Sequence, residues 1–383
     1  MIKDLLSVVS IYTAIVGTYF GVRVLFHFLN KPYKKFYTIS STIVIPVYQE
    51  NSEVFRRCLE SCLSEGPDEL IVVDDGSKEL ISYNIALAYA KKFPNLGVFR
   101  FEKNRGKRHA LAFAFQRAKG EIIVAVDSDS VLEGNALEEI LKPFQDPRIG
   151  AVAGQLSALN KSDNVLTKIL NIRYIVAGAL ERAAYSFFRV VNCTSGPFSA
   201  YRRSLLLVNL NDFITQTHRG KTCTFGDDRH LTSLVLKSGY DVFFQKTAKA
   251  RTTVPRTMKG FATQQLRWNR SFWRENWLVS HWMWKRSKYL AAGTIMDMAL
   301  PFLYLSSLIW NLRSAVSFGL FLALPFLLTA SLVAYARNFE SLRLTTVRDF
   351  ALAPIYAWVY LFVLLPISVY ATFTTHKTGW GTR

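Results

Sequence analysis

The chain has 383 residues, which is enough for one large domain or two modest ones. Half of the residues are hydrophobic and 20% are charged, and the mean hydropathy of +0.14 is high for a soluble protein. Because the apolar residues concentrate at the two ends, the composition argues against a single soluble globule and favours a soluble middle with membrane ends. The net charge of +19 fits an anionic partner such as a nucleotide-sugar, an anionic lipid, an acidic polymer or nucleic acid. Four cysteines, of which only Cys58 and Cys62 are closely spaced, form neither a disulfide framework nor a zinc site.

The first predicted element is a membrane helix. Residues 5–22 are uncharged and long enough to span a bilayer, and Arg23 and then three lysines follow. A signal peptide is the alternative, although no small-residue cleavage site is evident. Because basic residues mark the cytoplasmic side of membrane helices, the next domain is expected in the cytoplasm.

Short apolar runs then alternate with helical stretches up to residue 255. The predicted strands are residues 42–47, 70–74, 96–101 and 121–127, and the predicted helices are residues 53–64, 81–92 and 109–119. This order predicts an α/β domain with a mainly parallel sheet and helices on both faces. In such sheets ligands bind beyond the carboxyl ends of the strands, and two of these strands end in acidic residues.

Asp74 and Asp75 follow the second predicted strand. Their carboxylates can accept hydrogen bonds from a base or a ribose, and Gly76 permits close backbone approach, although Asp-Gly after a strand is more often a simple turn. Asp127 and Asp129 follow the fourth strand and can both reach one hard cation, which would neutralise a diphosphate. The alternative for this second pair is a helix N-cap, and for the pair alone the two interpretations are balanced. Two acidic strand ends in one sheet favour a nucleotide-diphosphate site.

Two further polar motifs lie at predicted helix starts. Lys107 and Arg108 open a helix whose N-terminal N–H groups would help to hold an anion; the alternative is a solvated basic loop. Asp227 and Asp228 precede an apolar helix, where one carboxylate could take the proton of an attacking hydroxyl while the other caps the helix. His230 is expected to be structural, because no nucleophile or metal-ligand spacing points to it.

Aromatic and basic residues mix after residue 255, as is typical of helices in the membrane interface. In the run Gln-Gln-Leu-Arg-Trp, Arg267 can hold a phosphate bidentately. Trp268 offers a flat face to a sugar ring, and a membrane-interface aromatic is the alternative. Residues 164–188 are a candidate second interfacial helix.

Three apolar runs follow, at residues 289–312, 315–336 and 350–373. Pro354 and Pro366 divide the last run, and a proline inside a helix kinks or breaks it. The piece between them is too short to cross about 30 Å at about 1.5 Å per residue. We therefore predict that this run does not cross, and that it returns the C-terminus to the cytoplasmic face.

Taken together, the motifs resemble those of the processive family-2 glycosyltransferases, the cellulose, chitin and hyaluronan synthases. The order Asp-Asp-Gly, Asp-Ser-Asp, Gly-Asp-Asp-Arg, Gln-Gln-x-Arg-Trp covers most of the chain. Within the family it looks most like the bacterial hyaluronan synthases, through residues 193–197, 201–202, 226–232, 264–272 and 379–383. Chitin-oligosaccharide synthases share the Gln-Gln-Leu-Arg-Trp run but typically have Gly-Glu-Asp at the third motif. Capsule synthases that alternate glucose and glucuronate share the Trp-Gly-Thr-Arg ending.

The resemblance implies an inverting transfer in a GT-A fold, with UDP-sugars as donors, a growing polysaccharide as acceptor and Mg²⁺ or Mn²⁺ as cofactor. Asp228 would be the general base, because it matches the final aspartate of the family's acidic motif, and Asp129 would bind the metal. The UDP part and its diphosphate would be held by Asp74, Asp75, Lys107, Asp127, Arg267, Trp380 and Arg383. The acceptor end would contact Gly196, Pro197 and Trp268, and Arg108, Asp227, Arg229 and Gln264 complete the expected substrate-binding set.

We therefore expect a monomeric, multi-pass enzyme of the cell membrane that is surrounded by lipids and binds no nucleic acid. Its expected regions are a membrane helix (1–35), a cytoplasmic GT-A domain (36–255), interfacial helices (256–288) and a transmembrane and interfacial end (289–383). The implied donors are UDP-N-acetylglucosamine and UDP-glucuronate, for hyaluronan; the alternatives are chitin oligosaccharide or another capsule polymer. A transferase acting on a lipid phosphate would not need Gln-Gln-x-Arg-Trp, and a basic nucleic-acid or lipid binder would not need acidic pairs at strand ends.

Overall fold

The computed structural model describes residues 2–318 and 323–379. Its strands are β1 (Ser41–Val47), β2 (Glu69–Asp74), β3 (Leu96–Arg100), β4 (Ile122–Val126), β5 (Ser130–Leu132), β6 (Ile149–Ala158), β7 (Phe198–Arg202), β8 (Thr217–His218), β9 (Lys221–Thr222) and β10 (Asp241–Thr252). Its helices up to the last strand are α1 (Ile2–Leu29), α2 (Ser52–Ser64), α3 (Ile81–Ala90), α4 (Lys107–Arg117), α5 (Ala136–Leu141), α6 (Val165–Val176), α7 (Ala183–Phe187), α8 (Arg203–Val208), α9 (Leu210–Ile214) and α10 (Asp227–Lys237).

Helices make up most of the remainder of the described chain. They are α11 (Met258–Val279), α12 (Met283–Arg286), α13 (Lys288–Phe318), α14 (Ala323–Asn338), α15 (Val347–Phe350), α16 (Ala353–Val359) and α17 (Leu365–Phe373). A π-helical turn (Ala177–Arg182) joins α6 to α7, and a second one (Tyr360–Leu364) joins α16 to α17. Residues 165–187 are therefore one nearly continuous helix, as the sequence predicts for 164–188.

An eight-stranded sheet in the order β3-β2-β1-β4-β7-β6-β10-β5 organises the described part of the chain. β1 pairs in parallel with β2 and β4, and β2 pairs in parallel with β3, whereas β7 runs antiparallel between β4 and β6. The apolar runs of β1, β2 and β4 are buried because helices cover both faces. One core cluster includes side chains of α4 and α10, and the other includes those of α2 and α5. The predicted α/β architecture is confirmed.

The strand ends bring the acidic motifs to one edge. β1 lies between β2 and β4, so the residues that follow these strands are neighbours in space although they are far apart in the chain. The backbone N–H of Asp75 donates to the carbonyl of Val47 at 2.8 Å, which fixes the second acidic strand end against the end of β1. The strand order of the sheet therefore brings the residues of the candidate site together.

Both helix-cap interpretations of the acidic motifs are wrong. The chain after Asp129 continues as the strand β5, and helix α5 begins only after Asn135, so neither carboxylate of the second motif caps it. Gly226, with φ of +84°, occupies the cap position of α10, and Asp227 is already the first helical residue. These carboxylates are therefore available for other contacts.

Two helical segments among the described residues are long and apolar enough to cross a membrane by length and composition, Lys288–Arg313 and Val347–Phe373, and a shorter apolar stretch, Ala14–Leu29, lies in α1. The length argument against a crossing by the last run is wrong. Pro366 directly follows the π-helical turn at Tyr360–Leu364, and the helical run continues past it. The predicted run at 315–336 lies partly outside the described residues.

Contacts with α6 and α11 hold both ends of the last run. Asp349 lies 3.9 Å from the ammonium of Lys168 on α6. At the other end, the guanidinium of Arg270 on α11 donates to the hydroxyl of Thr374 at 3.1 Å. Whether the run crosses a bilayer stays a prediction, but one of its ends contacts α6 and the other contacts α11.

Candidate active site

The end of β2 holds the loop that precedes α4. The carboxylate of Asp75 accepts the backbone N–H groups of Arg105 at 2.8 Å and Gly106 at 2.9 Å, and the side-chain amide of Asn104 at 3.0 Å. Burial raises the pKa of Asp75, and the two backbone N–H bonds oppose that rise. Asp75 is thus engaged in shaping the loop whose last residue precedes Lys107.

Asp74 lies deeper and is fully buried. One of its oxygens accepts the N–H of Ser77 at 2.8 Å, and its Oδ2 has no hydrogen-bond partner among the described residues. A buried acceptor without a partner costs about 1–3 kcal/mol unless a ligand or water supplies a donor. Of the two adjacent aspartates, Asp74 therefore retains an acceptor for a ligand N–H or hydroxyl.

The end of β4 supplies the second carboxylate pair. The Lys107 ammonium forms an ion pair with Asp127. Burial alone would lower the pKa of Lys107, but the charges of Asp127 and Asp227 outweigh it and raise that pKa. Gly196 makes room for this ion pair, since a Cβ there would lie 3.2 Å from both Asp127 Oδ2 and Lys107 Nζ.

Asp129 lies beside the same ion pair and carries a strongly perturbed carboxyl group. Burial, followed by the charges of Asp127 and Glu50, raises the pKa of Asp129 to about 7. The hydroxyl of Thr252 donates to Asp129 Oδ1 at 3.2 Å. Glu50, which the sequence analysis missed, accepts the hydroxyl of Ser128 at 2.9 Å. Such crowding of negative charge is relieved by a divalent cation.

The donor set fits a metal that is shared with a diphosphate. Among the described residues no group of three or more His, Cys, Asp or Glu side chains is arranged to hold an ion by itself. Mg²⁺ is commonly held by one or two carboxylates together with substrate phosphate oxygens. Asp127 and Asp129 fit that arrangement, and Glu50 adds negative charge beside Asp129.

Asp228 faces the acidic pair from the start of α10. Its Oδ2 accepts the backbone N–H of Gly196 at 3.1 Å and lies 3.5 Å from the Cys193 thiol, and its Oδ1 accepts the N–H of Arg229 at 2.8 Å. A cavity of about 20 Å³, roughly the size of one water molecule, is lined by Asp127, Asp228, Lys107, Gly196 and Tyr201 among others. The two carboxylates therefore border one small space.

Arg108 and Asp227, two predicted substrate contacts, are engaged with each other. Their side chains form a buried ion pair at 2.9 Å, and Arg108 Nη1 also donates to Gln216 Oε1 at 2.8 Å and to the carbonyl of Phe213 at 3.0 Å. The pair joins the start of α4 to the start of α10, so these residues position Lys107 and Asp228. Arg229 stacks over the ring of Phe272, 5.4 Å from its centroid.

Helix α11 presents the Gln-Gln-x-Arg-Trp motif. Gln264, Arg267 and Trp268 are spaced three and four residues apart and so share one helix face. Trp268 is 43% exposed, and its ring lies 6.1 Å from that of Tyr174. Pro197 is half-buried directly before β7.

Trp380 and Arg383 lie outside the described residues. The chain leading to them is held near the site, because the carbonyl of Thr378 accepts the hydroxyl of Thr224, two residues before Gly226. The imidazole Nε2 of His218 lies 3.1 Å from the hydroxyl of Thr375.

A mainly parallel sheet with carboxylate pairs at its edge fits the nucleotide-sugar glycosyltransferases, and the family model described as Glycosyl transferase family 2 matches residues 42–208. The chain is 36% identical to the hyaluronan synthase of Streptococcus pyogenes, over 98% of this chain and 91% of that protein. It is 32% identical to an N-acetylglucosaminyltransferase of Rhizobium meliloti (strain 1021), over 89% and 80%. The protein thus belongs to the processive family-2 glycosyltransferases, and it is a UDP-sugar transferase similar to the bacterial hyaluronan synthases.

A solved structure shows the same fold. A mannosyltransferase from Pyrobaculum calidifontis, in complex with GDP-Man and Mn²⁺, superposes with a TM-score of 0.61 at 20% identity, covering 93% of this chain and 99% of that one. The GT-A architecture expected from the sequence is confirmed.

Proposed function

We propose that this enzyme polymerises UDP-N-acetylglucosamine and UDP-glucuronate into hyaluronan at the cytoplasmic face of the membrane and passes the polymer outward. The observation that carries the proposal is the placement of Asp127 and Asp228 around one small cavity. Asp127 belongs to the acidic sheet edge that suits a metal-bound diphosphate, and Asp228 is positioned to accept a proton. The identity to a hyaluronan synthase over nearly the whole chain supports the choice of product.

On the donor side, Asp74 and Lys107 would contact the nucleotide and its phosphates, and Asp75 would hold the loop between them. Mg²⁺ or Mn²⁺, bound by Asp129 with Asp127, would supply positive charge to the UDP leaving group. Arg267, with Trp380 and Arg383, would hold the diphosphate. These groups together stabilise the charge that develops as the sugar–phosphate bond breaks.

On the acceptor side, Asp228 would deprotonate the attacking hydroxyl. The hydrogen bonds from Gly196 and Arg229 orient its carboxylate, so the proton acceptor is held in place before substrate arrives. A positioned general base typically contributes roughly a hundred- to ten-thousand-fold in rate. Trp268 would stack on the terminal sugar, for which its exposed ring is free on one side of α11.

The apolar segments support a multi-pass membrane protein. Lys288–Arg313 and Val347–Phe373 are long and apolar enough to cross or line a membrane, and α1 adds a third apolar helix. Lipids would surround these helices, and the enzyme would act as a monomer with its catalytic domain in the cytoplasm.

The test is polymer synthesis by the purified protein, with UDP release measured for each UDP-sugar alone and in pairs. Hyaluronan synthesis requires both donors together, and the product must be degraded by a hyaluronan-specific lyase. A chitin-type activity is the second candidate, because an N-acetylglucosaminyltransferase aligns with 89% of the chain. Polymer formation from UDP-N-acetylglucosamine alone, without stimulation by UDP-glucuronate, would establish that second candidate.

A further inference from the structure

Glu275 on α11 is a fully buried carboxylate that does not line the cavity that Asp127 and Asp228 border. One of its oxygens accepts the side-chain amide of Gln216, and the other lies 3.1 Å from His230 Nδ1. Burial raises the pKa of Glu275, but the hydrogen bond and charge of His230, with the Gln216 amide, outweigh it and lower that pKa. These partners favour the ionised form of the carboxylate.

The partners of Glu275 come from different parts of the site. Glu275 lies on α11, the helix that carries Trp268, whereas His230 lies on α10, two residues after Asp228. The other imidazole nitrogen of His230 lies 3.3 Å from the carbonyl of Asp212. Glu275 thus links α10, which carries Asp228, to α11, which carries Trp268.

Gln216 extends the same network towards the donor side. Its Oε1 accepts the guanidinium of Arg108 at 2.8 Å, and Arg108 in turn pairs with Asp227. Arg108 follows Lys107, the ion-pair partner of Asp127. The network therefore runs from the acceptor helix, through Glu275 and Gln216, to the start of α4.

We propose that Glu275 is a positioning residue that sets the spacing between Asp228 on α10 and Trp268, the proposed acceptor contact on α11. The inference rests on the proposed function, since it assigns the base to α10 and the acceptor contact to Trp268. An ionised, fully buried carboxylate is costly unless its partners are well placed, so losing one partner frees the two helices to shift.

The distance between Glu275 and Trp268 along α11 sets the size of the expected loss of rate. Trp268 and Glu275 are seven positions apart on α11, or about 10 Å at about 1.5 Å per residue. A tilt of about 6° around Glu275 would move Trp268 by about 1 Å, and a displacement of that size can cost about a hundred-fold in rate. The nucleotide contacts of Asp74 and Asp127 lie on the sheet and would not move with α11, whereas Arg267, next to Trp268, would move with it.

The decisive variant is Glu275→Gln, which keeps the size of the side chain and removes its charge. We expect kcat for polymer synthesis to fall about ten- to a hundred-fold. The KM of both donors and the Kd of UDP should change less, by at most about fivefold, because Arg267 on α11 is only one of the groups proposed to hold the nucleotide. The matched control is Glu340→Gln. Glu340 also forms a buried pair with a histidine, His27, at 3.1 Å, but that pair joins α1 to the segment that follows α14. The control should lower the unfolding temperature without lowering kcat.

Two substitutions of His230 test whether its hydrogen bond to Glu275 maintains kcat. In His230→Asn the side-chain amide takes the place of Nδ1 and can still donate to Glu275, so kcat should stay near that of the wild type. In His230→Leu the bond is lost, and kcat should fall as in Glu275→Gln.

The inference is overturned if Glu275→Gln retains wild-type kcat, if its UDP affinity falls in step with kcat, or if His230→Asn is as impaired as His230→Leu. A loss of kcat in Glu340→Gln equal to that in Glu275→Gln would also overturn it, because the loss would then come from lower stability and not from the position of Glu275. Wild-type protein in the same assay reports on the proposed function separately. If it released UDP from other donors, the four variants would be compared with those donors.

Discussion

Asp228→Asn is the change that tests the assigned chemistry most directly. The amide keeps the volume of the side chain, and its oxygen can still accept the N–H of Gly196, which in the wild type is 3.1 Å from Asp228 Oδ2. What is lost is the proton acceptor. We expect polymer synthesis to fall by about a hundred- to ten-thousand-fold, which corresponds to about 3–5 kcal/mol of transition-state free energy.

UDP binding should survive this change. Asp228 makes no hydrogen bond to Asp74, Asp127 or Lys107 among the described contacts, so the donor side keeps its ion pairs. Calorimetry with UDP and Mn²⁺ should give a Kd close to that of the wild type, while radiolabelled polymer is lost. Asp129→Asn should instead weaken the metal-dependent binding of UDP, the step that precedes sugar transfer.

The control for these two variants is Asp163→Asn, because Asp163 makes an exposed ion pair with Arg256 and has no place in the proposed mechanism. Exposed pairs contribute about 0–1 kcal/mol, so both activity and UDP affinity should be retained. If Asp228→Asn kept near wild-type turnover while the protein bound UDP normally, the assignment of the base would be refuted.

Three further predictions concern the product, the topology and the fold. The polymer should contain both N-acetylglucosamine and glucuronate, as judged by lyase digestion and sugar analysis; resistance to the lyase would contradict this. A cysteine at Thr378 should stay unlabelled by an impermeant thiol reagent in intact cells, since the chain end is predicted to lie on the cytoplasmic face; external labelling would exclude that topology. Gly226→Ala should lower the unfolding free energy by about 2–3 kcal/mol, more than Gly220→Ala, for which about 1–2 kcal/mol is expected. Both glycines have positive φ, but only at Gly226 would a Cβ collide with Ser271. Equal losses for the two would show that the collision is relieved at no cost.

The sequence predicted the strands that build the site because those strands are buried on both faces. β1, β2 and β4 each contain an uninterrupted apolar run, and such runs are visible without any knowledge of the fold. Asp74 and Asp127 could therefore be placed at one edge. The antiparallel β7 was not predicted, because its run Phe-Ser-Ala-Tyr-Arg carries no continuous apolar pattern.

The charged pairs of the site could not be predicted from local patterns. Arg108 and Asp227 are 119 positions apart, and nothing in either motif shows that the other will neutralise it. Glu50 follows β1 and approaches Asp129 only because β1 and β4 are neighbours in the sheet. Long-range ion pairs of this kind depend on strand order, which one sequence does not display.

Gly196 has a consequence for any attempt to change the sugars that this enzyme uses. Its backbone N–H contacts Asp228, while the empty side of its Cα faces Asp127 and Lys107. A side chain introduced there would press on Asp127 and Lys107, directly beside the backbone N–H group that holds Asp228. With the roles proposed for these residues, a substitution here would disturb donor binding and turnover together. A redesign of donor choice would have to begin at another wall of the cavity, such as Tyr201.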